Sequence, residues 1–131
     1  AVVSGTIGVD DVVAFAPFFL VALASVMATA WVDRDADAAT GKATLQVRLA
    51  PRQLRTIHVG VTVAFVPATL LSAMLGAMPL ALAGLVVLPL LVVGTVRYTR
   101  ARTPIANVAA MVSLALVPAV GLSASLVLGP G

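Results

Sequence analysis

The sequence has no cysteine and very little charge. The absence of cysteine in 131 residues excludes disulfides and thiolate metal sites. Charged residues make up 10% of the chain, whereas a soluble domain has roughly 25%. Hydrophobic residues make up 61%, and the mean hydropathy is +1.14. A globular core of this size cannot bury so many apolar side chains, so the composition predicts a lipid environment.

The few basic residues are unevenly placed. All eight Lys and Arg residues, which give a net charge of +3, lie in two short clusters, Arg34 to Arg55 and Arg97 to Arg102. Neither cluster offers the continuous basic face that a phosphate backbone requires, so a nucleic-acid partner is not expected. By the positive-inside rule, the loops 33–55 and 97–104 are predicted to be cytoplasmic in a multi-pass protein of the cell membrane.

Apolar stretches near the length of a membrane span predict an all-α membrane protein with four transmembrane helices in a single domain, 1–131. The predicted spans are about 12–32, 57–75, 80–96 and 105–128. Helix-start signals precede or open these spans: Asp10 with Asp11, Pro79, and Thr103 with Pro104. Because the chain begins without Met and without a signal-peptide pattern, we expect it to be part of a longer protein.

Three sets of residues inside or beside these spans predict how the helices bend, pack and meet the membrane surface. Mid-span prolines should bend the helices and leave a pocket between them: Pro67, Pro89 and Pro118. A ridge of small side chains should let another helix pack closely: Gly60, Ala64, Ala68, Ser72 and Gly76. The only Trp and the only Tyr, Trp31 and Tyr98, lie at the two predicted cytoplasmic helix ends, as in an interfacial aromatic belt.

Three of the five acidic residues, Asp33, Asp35 and Asp37, follow the first predicted span. A charge costs about 2.5 to 3.5 kcal/mol at the centre of a membrane helix, so these carboxylates belong at the membrane surface. On a helix, Asp33 and Asp37 share one face with Cβ atoms about 5 to 6 Å apart. Mg²⁺ is typically held by one or two carboxylates together with substrate phosphates. The pair therefore predicts half of a metal-diphosphate site, and Asp35, which points away from it, is expected to support the site indirectly or to face solvent.

The residues after the aspartates extend this prediction. Gly41 can provide the turn that ends the helix, and Lys42 and Arg48 can reach phosphate oxygens. A solvated acidic helix end followed by a positive-inside loop remains the simpler alternative. A calcium-binding EF-hand is excluded, because Ala38 stands where glycine is required and Thr44 stands where a bidentate Glu is required.

The pattern D-x-x-x-D-x-x-x-G-K-x-T-L-x-V-R-L, which begins at Asp33, resembles the second aspartate-rich motif of the UbiA-type membrane prenyltransferases. The resemblance implies the last four helices of a nine-helix bundle. It also implies magnesium-assisted transfer of a prenyl group from a polyprenyl diphosphate to a lipophilic, commonly aromatic acceptor. Asp33 and Asp37 would then hold Mg²⁺, and Lys42 and Arg48 would bind the diphosphate. The quinone-making branch, especially the menaquinone type, looks most similar.

The chain departs from the family in some respects. Ala50 stands where the family usually has glycine, and Thr29 with Ala30 stands where Tyr or Asn is frequent. The first aspartate motif, N-D-x-x-D-x-x-x-D, does not occur in this chain. It belongs to the amino-terminal half of a family member, which would be a required partner, so we expect the isolated chain to be inactive.

Two polar residues and one rival function complete the predictions. His58, just past a basic loop, is expected to be interfacial rather than a general base. Asn107, near the cytoplasmic end of the last span, is expected to hydrogen-bond either the acceptor or a neighbouring residue. The alternative function is a non-catalytic membrane segment or part of a transporter, with an acidic loop that binds a cation.

Overall fold

The computed structural model describes residues 8–101 and 103–128, with side chains through Leu116. Within these ranges the chain is helical and contains no strand, which confirms the all-α prediction. The described residues form seven helices: α1 (Val9–Ala14), α2 (Ala16–Val32), α3 (Arg34–Ala39), α4 (Leu45–Arg48), α5 (Pro51–Met74), α6 (Met78–Arg97) and α7 (Ile105–Leu128).

The four long helices correspond to the four predicted spans, with two differences. The first predicted span is divided at Phe15, which ends α1 and precedes α2, and Pro17 lies in the first turn of α2. The second difference is at α5, which begins at Pro51 rather than at residue 57. Gln53 Oε1 accepts the Ala50 N–H at 2.9 Å and so caps this helix ahead of its apolar part. The predicted loop 33–55 therefore contains α3, α4 and the start of α5.

Local chemistry explains how the other long helices begin and turn. Gly76 has a φ of +86°, a left-handed conformation that favours glycine. Its N–H donates to Ala73 O at 3.0 Å, and the Ala77 N–H donates to Ser72 O at 3.0 Å, which ends α5 and starts the turn into α6. The predicted start signals lie where expected: Asp10 and Asp11 in the first turn of α1, Pro79 in the first turn of α6, and Thr103 with Pro104 just before α7.

The four long helices form an up-and-down bundle. The bundle order is α2, α5, α6 and α7, with α7 returning to pack against α2. One end, which we call the aspartate end, holds the last turn of α2, the segment 33–50, the first turns of α5 and α7, and the last turn of α6. The opposite end, which we call the apolar end, holds residues 14–19 and 72–80.

The interior of the bundle is rich in small and polar side chains. The main core cluster lines the middle of the bundle: Val21, Ala24, Val61, Phe65, Leu80, Ala83, Val87, Leu91, Ala110 and Leu114. Polar residues are buried beside it: Ser25, Gln46, His58, Thr69, Ser72 and Asn107. Large apolar side chains also face outward, such as Val63 at 64% exposure and Leu85 at 62%. A water-soluble domain rarely exposes so many large apolar side chains together.

Two helices, α5 and α6, are long and apolar enough to cross a membrane by length and composition. The helix α2 and the segment Ile105–Leu116 of α7 are shorter apolar helices within the described residues. Of the four predicted spans, two therefore correspond to helices of membrane-spanning length and two to shorter apolar helices.

The predicted small-residue ridge on α5 is not where the helices approach closely. Gly60 and Ala64 are exposed, and a Cβ added at Gly60 would meet nothing within 4 Å. Close approach occurs on α6, because a Cβ at Gly84 would lie only 2.7 Å from Thr69 Cγ2. The prediction of close packing is wrong for Gly60 and Ala64 among the described residues, because small residues alone do not reveal which face of a largely apolar helix is inward.

The mid-span prolines lie inside helices as predicted. Pro67 is within α5 and Pro89 is within α6, whereas the side chain of Pro118 in α7 lies outside the described residues. Only a small cavity, about 40 Å³, adjoins this level of α5 and α6. A larger cavity of about 470 Å³ lies at the apolar end, and its walls are entirely apolar residues: Ala14, Phe15, Phe18, Phe19, Ala77, Leu80, Leu114 and Ala115.

Candidate metal-diphosphate site

Asp33 and Asp37 lie on one helical turn at the aspartate end. Asp33 ends α2 and begins α3, with φ −84° and ψ −3°. The Asp37 N–H donates to Asp33 O at 2.8 Å, so the two residues have the helical i, i+4 relation. Their side chains therefore project from the same face, as the sequence predicted. Asp33 is exposed, whereas the Asp37 side chain is only 14% exposed.

The turn after α3 brings Lys42 back to Asp37. Gly41 has a φ of +73°, which favours glycine. The Lys42 N–H donates to Asp37 O at 2.9 Å, and the Gly41 N–H donates to Ala38 O at 3.2 Å, which together make a Schellman motif. The predicted role of Gly41 is confirmed. As a result, Lys42 Nζ lies 3.4 Å from Asp37 Oδ1.

The chain itself offers a pair of carboxylates rather than a complete metal cage. Among the residues with described side chains, no group of three or more His, Cys, Asp and Glu residues could hold a metal ion. A pair of carboxylates on one turn nevertheless fits the coordination preference of Mg²⁺. This ion typically binds one or two carboxylates and completes its coordination shell with water and phosphate oxygens. Lys42 is 67% exposed, so its ammonium can turn from Asp37 to an incoming phosphate.

The other two predicted site residues lie outside this pair. Arg48 is exposed in the last turn of α4, and its guanidinium has no ion pair with a described carboxylate. The structure therefore does not bring Arg48 to the aspartates. Asp35 is exposed in the first turn of α3.

A buried aromatic cluster supports the aspartate loop from below. Tyr98, at the end of α6, stacks on His58 with ring centroids 4.4 Å apart and meets Trp31 edge-on at 6.1 Å. Arg34, the first residue of α3, lies over the Trp31 ring at 5.0 Å. Tyr98 is only 3% exposed, so the predicted interfacial belt is corrected: the two aromatic residues share one end of the bundle but pack on each other. The aromatic contacts thus connect α3 to the bundle interior.

The short helix α4 is anchored to the same cluster by Gln46. This side chain is buried, and its Nε2 donates to Met27 O at 3.5 Å. Gln46 also lies beside the Tyr98 hydroxyl. Burial raises the pKa of the Tyr98 phenol, and the neighbouring Gln46 acts in the opposite direction. The phenol therefore stays protonated at neutral pH.

His58 is buried rather than interfacial, which corrects the prediction. Its exposure is 0%, and its Nδ1 lies 3.1 Å from Thr95 Oγ1. Thr95 donates its hydroxyl proton to Leu91 O at 2.8 Å, and its oxygen also lies 2.6 Å from Thr62 Oγ1. The imidazole is thereby fixed across α5 and α6.

Buried polar atoms without partners gather at the aspartate end. Within the described part of the chain, four such side-chain atoms occur: Thr44 Oγ1, His58 Nε2, Tyr98 OH and Asn107 Oδ1. Leaving a buried polar group unpaired costs about 1 to 3 kcal/mol. Such groups in a folded protein call for a water, an ion or a ligand.

Asn107 lies inside the bundle without either of its two predicted hydrogen bonds. It is 3% exposed and packs against Gly94 so closely that a Cβ at that glycine would overlap its carboxamide. Among the described residues its Oδ1 has no hydrogen-bond partner, and the contact with an acceptor stays a prediction.

Sequence reasoning missed the cluster of Gln46, His58 and Tyr98. A usable signal was present, because His58 with Thr62 and Thr95 with Tyr98 are polar pairs at helical spacing within apolar helices. Polar residues in such helices generally face the interior of the bundle and mark functional positions.

Comparisons with known proteins add no relative. No protein-family model, no curated protein and no solved structure matches this chain. The case for function therefore depends on the residues themselves.

Proposed function

We propose that this chain is the part of a UbiA-type membrane prenyltransferase that carries the second aspartate-rich motif. In this proposal it contributes half of a magnesium-diphosphate site to an enzyme that transfers a prenyl group to a lipophilic, aromatic acceptor. The observation that carries the proposal is the single helical turn that aligns Asp33 with Asp37 and returns Lys42 to within 3.4 Å of Asp37.

The membrane location is supported by the distribution of side chains. Two helices have the length and composition of membrane spans. Large apolar side chains cover the outside of the bundle, and polar ones are buried within it. The seven basic residues in the described part of the chain lie in segments that join helices or begin and end them at the aspartate end, so this end is proposed to face the cytoplasm.

The difficult step of prenyl transfer is cleavage of the allylic carbon-oxygen bond. A magnesium ion, when bound, would supply Lewis-acid stabilisation of the departing diphosphate. Asp33 and Asp37 hold the metal in this proposal, and Lys42 moves from Asp37 to a phosphate oxygen. Arg48 is exposed in the last turn of α4, apart from this pair, and its contact with the diphosphate stays a prediction. The apolar interior excludes water, which would otherwise quench the allylic cation.

The isoprenoid tail requires an apolar path away from the aspartates. The cavity of about 470 Å³ at the apolar end offers such a volume, with Phe18, Leu80 and Leu114 among its walls. It is separated from Asp33 by the length of α2, which has 17 residues and therefore spans about 25 Å. We propose that the tail runs along the bundle towards this cavity.

The test uses the complete gene product with farnesyl diphosphate as the probe, and it measures magnesium-dependent release of diphosphate. Asp33→Asn and Asp37→Asn should each lower the rate by about 100-fold or more, because charge stabilisation of the leaving group is lost. Asp10→Asn is the matched control, since Asp10 is an exposed aspartate on α1, and it should leave the rate unchanged. Full activity in both motif variants would contradict the proposal.

The variant Lys42→Gln distinguishes a role of Lys42 in binding diphosphate from a role in stabilising the fold. Because Lys42 is exposed and its ion pair lies at the surface, its loss should hardly affect stability. It should weaken binding of diphosphate instead, seen as a higher KM. A fall in thermal stability without a change in KM would assign Lys42 a structural role only.

A further inference from the structure

A groove beside the start of α5 has the chemistry of a binding site for a phospholipid headgroup. Its volume is about 610 Å³. The lining residues come from the first turns of α5 and from the connection between α6 and α7: Pro51, Arg52, Arg55, Thr56, Val59 and Thr99. None of them belongs to the aspartate site described above.

The groove carries unneutralised positive charge. Arg52 and Arg55 are one helical turn apart, and neither guanidinium has an ion pair or hydrogen bond to another described residue. No acidic residue lines the groove. Guanidinium groups bind phosphate oxygens through paired, charge-assisted hydrogen bonds, so an anionic phosphate is the complementary ligand.

Thr99, which also lines the groove, has an unusual backbone conformation. Thr99 has a φ of +62°, a left-handed conformation that is rare for a β-branched residue. The hydroxyl of Thr99 has no hydrogen-bond partner among the described residues. It offers a further donor to a phosphate in the groove.

An exposed apolar strip continues from the arginines along α5. Arg52, Arg55, Thr56 and Val59 recur at helical spacing. The same side of the helix continues with Val63 at 64% exposure, followed by Val66 and Leu70. Phosphate-binding groups followed directly by an apolar strip match the two parts of a phospholipid, its headgroup and its acyl chains. A soluble phosphate has no apolar part that could contact the strip.

We propose that this groove binds the headgroup of an anionic phospholipid, with one acyl chain lying along Val59, Val63 and Val66. The inference rests on the membrane location within the proposed function and not on prenyl transfer. It distinguishes Arg52 and Arg55 from Lys42 and Arg48, which the proposed function assigns to diphosphate. Arg97 and Arg100 are left to the general positive-inside distribution.

The experiment titrates the purified chain in detergent micelles with dioleoylphosphatidylglycerol or dioleoylphosphatidylcholine and counts bound lipids by native mass spectrometry. The wild-type chain should bind one phosphatidylglycerol in preference to phosphatidylcholine. The double variant Arg52→Gln/Arg55→Gln should lose about 30-fold in affinity for phosphatidylglycerol, since each basic residue contributes about fivefold near an anionic surface. Arg97→Gln/Arg100→Gln is the matched control with the same change in charge, and it should keep the preference.

Three outcomes would overturn the proposal. Equal loss of affinity for phosphatidylglycerol in both double variants would show that only the net charge of the chain matters. Displacement of phosphatidylglycerol by millimolar inorganic phosphate, with no effect of Val63→Ser on lipid affinity, would assign the groove to a soluble phosphate. If the wild-type chain binds phosphatidylglycerol and phosphatidylcholine equally well, the groove is not a site for an anionic headgroup. Co-flotation with phosphatidylcholine liposomes is the separate check, because failure there would contradict the membrane location as well.

Discussion

The two ends of the bundle are built from different chemistry. The aspartate end has the acidic turn, the basic residues and all four buried polar atoms that lack a partner among the described residues. The apolar end has Phe18, Leu80 and Leu114 around an apolar cavity of about 470 Å³. Unpaired buried polar groups destabilise a fold. A bundle selected only for stability would therefore not gather them at one end. The difference supports the proposal that chemistry is located at the aspartate end, while the other end provides apolar volume.

The largest expected effect comes from Tyr98, which connects α6 to His58 and Trp31. Tyr98→Ala should lower the free energy of unfolding by about 3 to 5 kcal/mol, as truncation of a buried aromatic side chain does. Unfolding by dodecyl sulfate titration in detergent micelles, followed by helical circular dichroism, measures it.

The matched variant for this effect is Phe19→Ala at the apolar end. Phe19 is 59% exposed, so its loss should change the free energy of unfolding by no more than about 0.5 kcal/mol. If both variants lower the free energy of unfolding equally, the proposed difference between the two ends is wrong.

The next effect concerns the contact between α6 and α7 at Gly94. Gly94→Ala should cost about 1 to 3 kcal/mol, because the added Cβ overlaps the Asn107 carboxamide. Gly60→Ala, at an open position, should instead stabilise by about 0.5 to 1 kcal/mol. If Asn107→Ala restores the stability of Gly94→Ala, the overlap is the cause. If Gly94→Ala is as stable as Gly60→Ala, the packing at this contact is looser than described.

A smaller effect sharpens the description of the apolar end. Ala115 lines the cavity there, so Ala115→Leu should be tolerated with a change in the free energy of unfolding under about 1 kcal/mol. The new side chain occupies the cavity and should compete with an apolar ligand. Farnesol binding, measured by displacement of a fluorescent apolar probe, should weaken in this variant. Unchanged binding would place the ligand elsewhere.

The smallest effect is the titration of Tyr98, the only tyrosine of the chain. Its ultraviolet absorbance reports this phenol alone, and the folded chain should titrate above about 10, the ordinary value for tyrosine, because burial raises the pKa. The neutral phenol favours the folded state below that pH, and this contribution is lost as the pH rises through the folded-state pKa. Relative to Tyr98→Phe, the wild-type chain should therefore lose stability only in strongly alkaline solution. A titration at or below 10 would contradict the burial.

Local features of the fold were accessible from the sequence. The motif from Asp33 to Lys42 lies within two helical turns, so its geometry depends on i, i+4 spacing and on Gly41, both visible in the sequence. Apolar length located the four long helices. The start of α5 was missed because hydropathy ignores the charged turn at Arg52, although Pro51 and Gln53 signal a helix start.

Tertiary features were not accessible in the same way. His58, Tyr98 and Gln46 meet across α4, α5 and the end of α6, far apart in sequence, and their contacts depend on how each helix is rotated. When nearly every face is apolar, hydropathy does not fix that rotation, which is also why the ridge at Gly60 and Ala64 was placed inward.

The central claim is that Asp33 and Asp37 hold a divalent ion together with diphosphate at the aspartate end. The most direct test is nuclear magnetic resonance of the labelled chain in micelles, with Mn²⁺ replacing Mg²⁺ in the presence of inorganic diphosphate. The account predicts paramagnetic broadening of the backbone amides of residues 33–42, none at residues 14–19 or 77–80, and loss of the broadening in Asp33→Asn/Asp37→Asn. Broadening that is spread evenly over both ends, or that persists in the double variant, would contradict it.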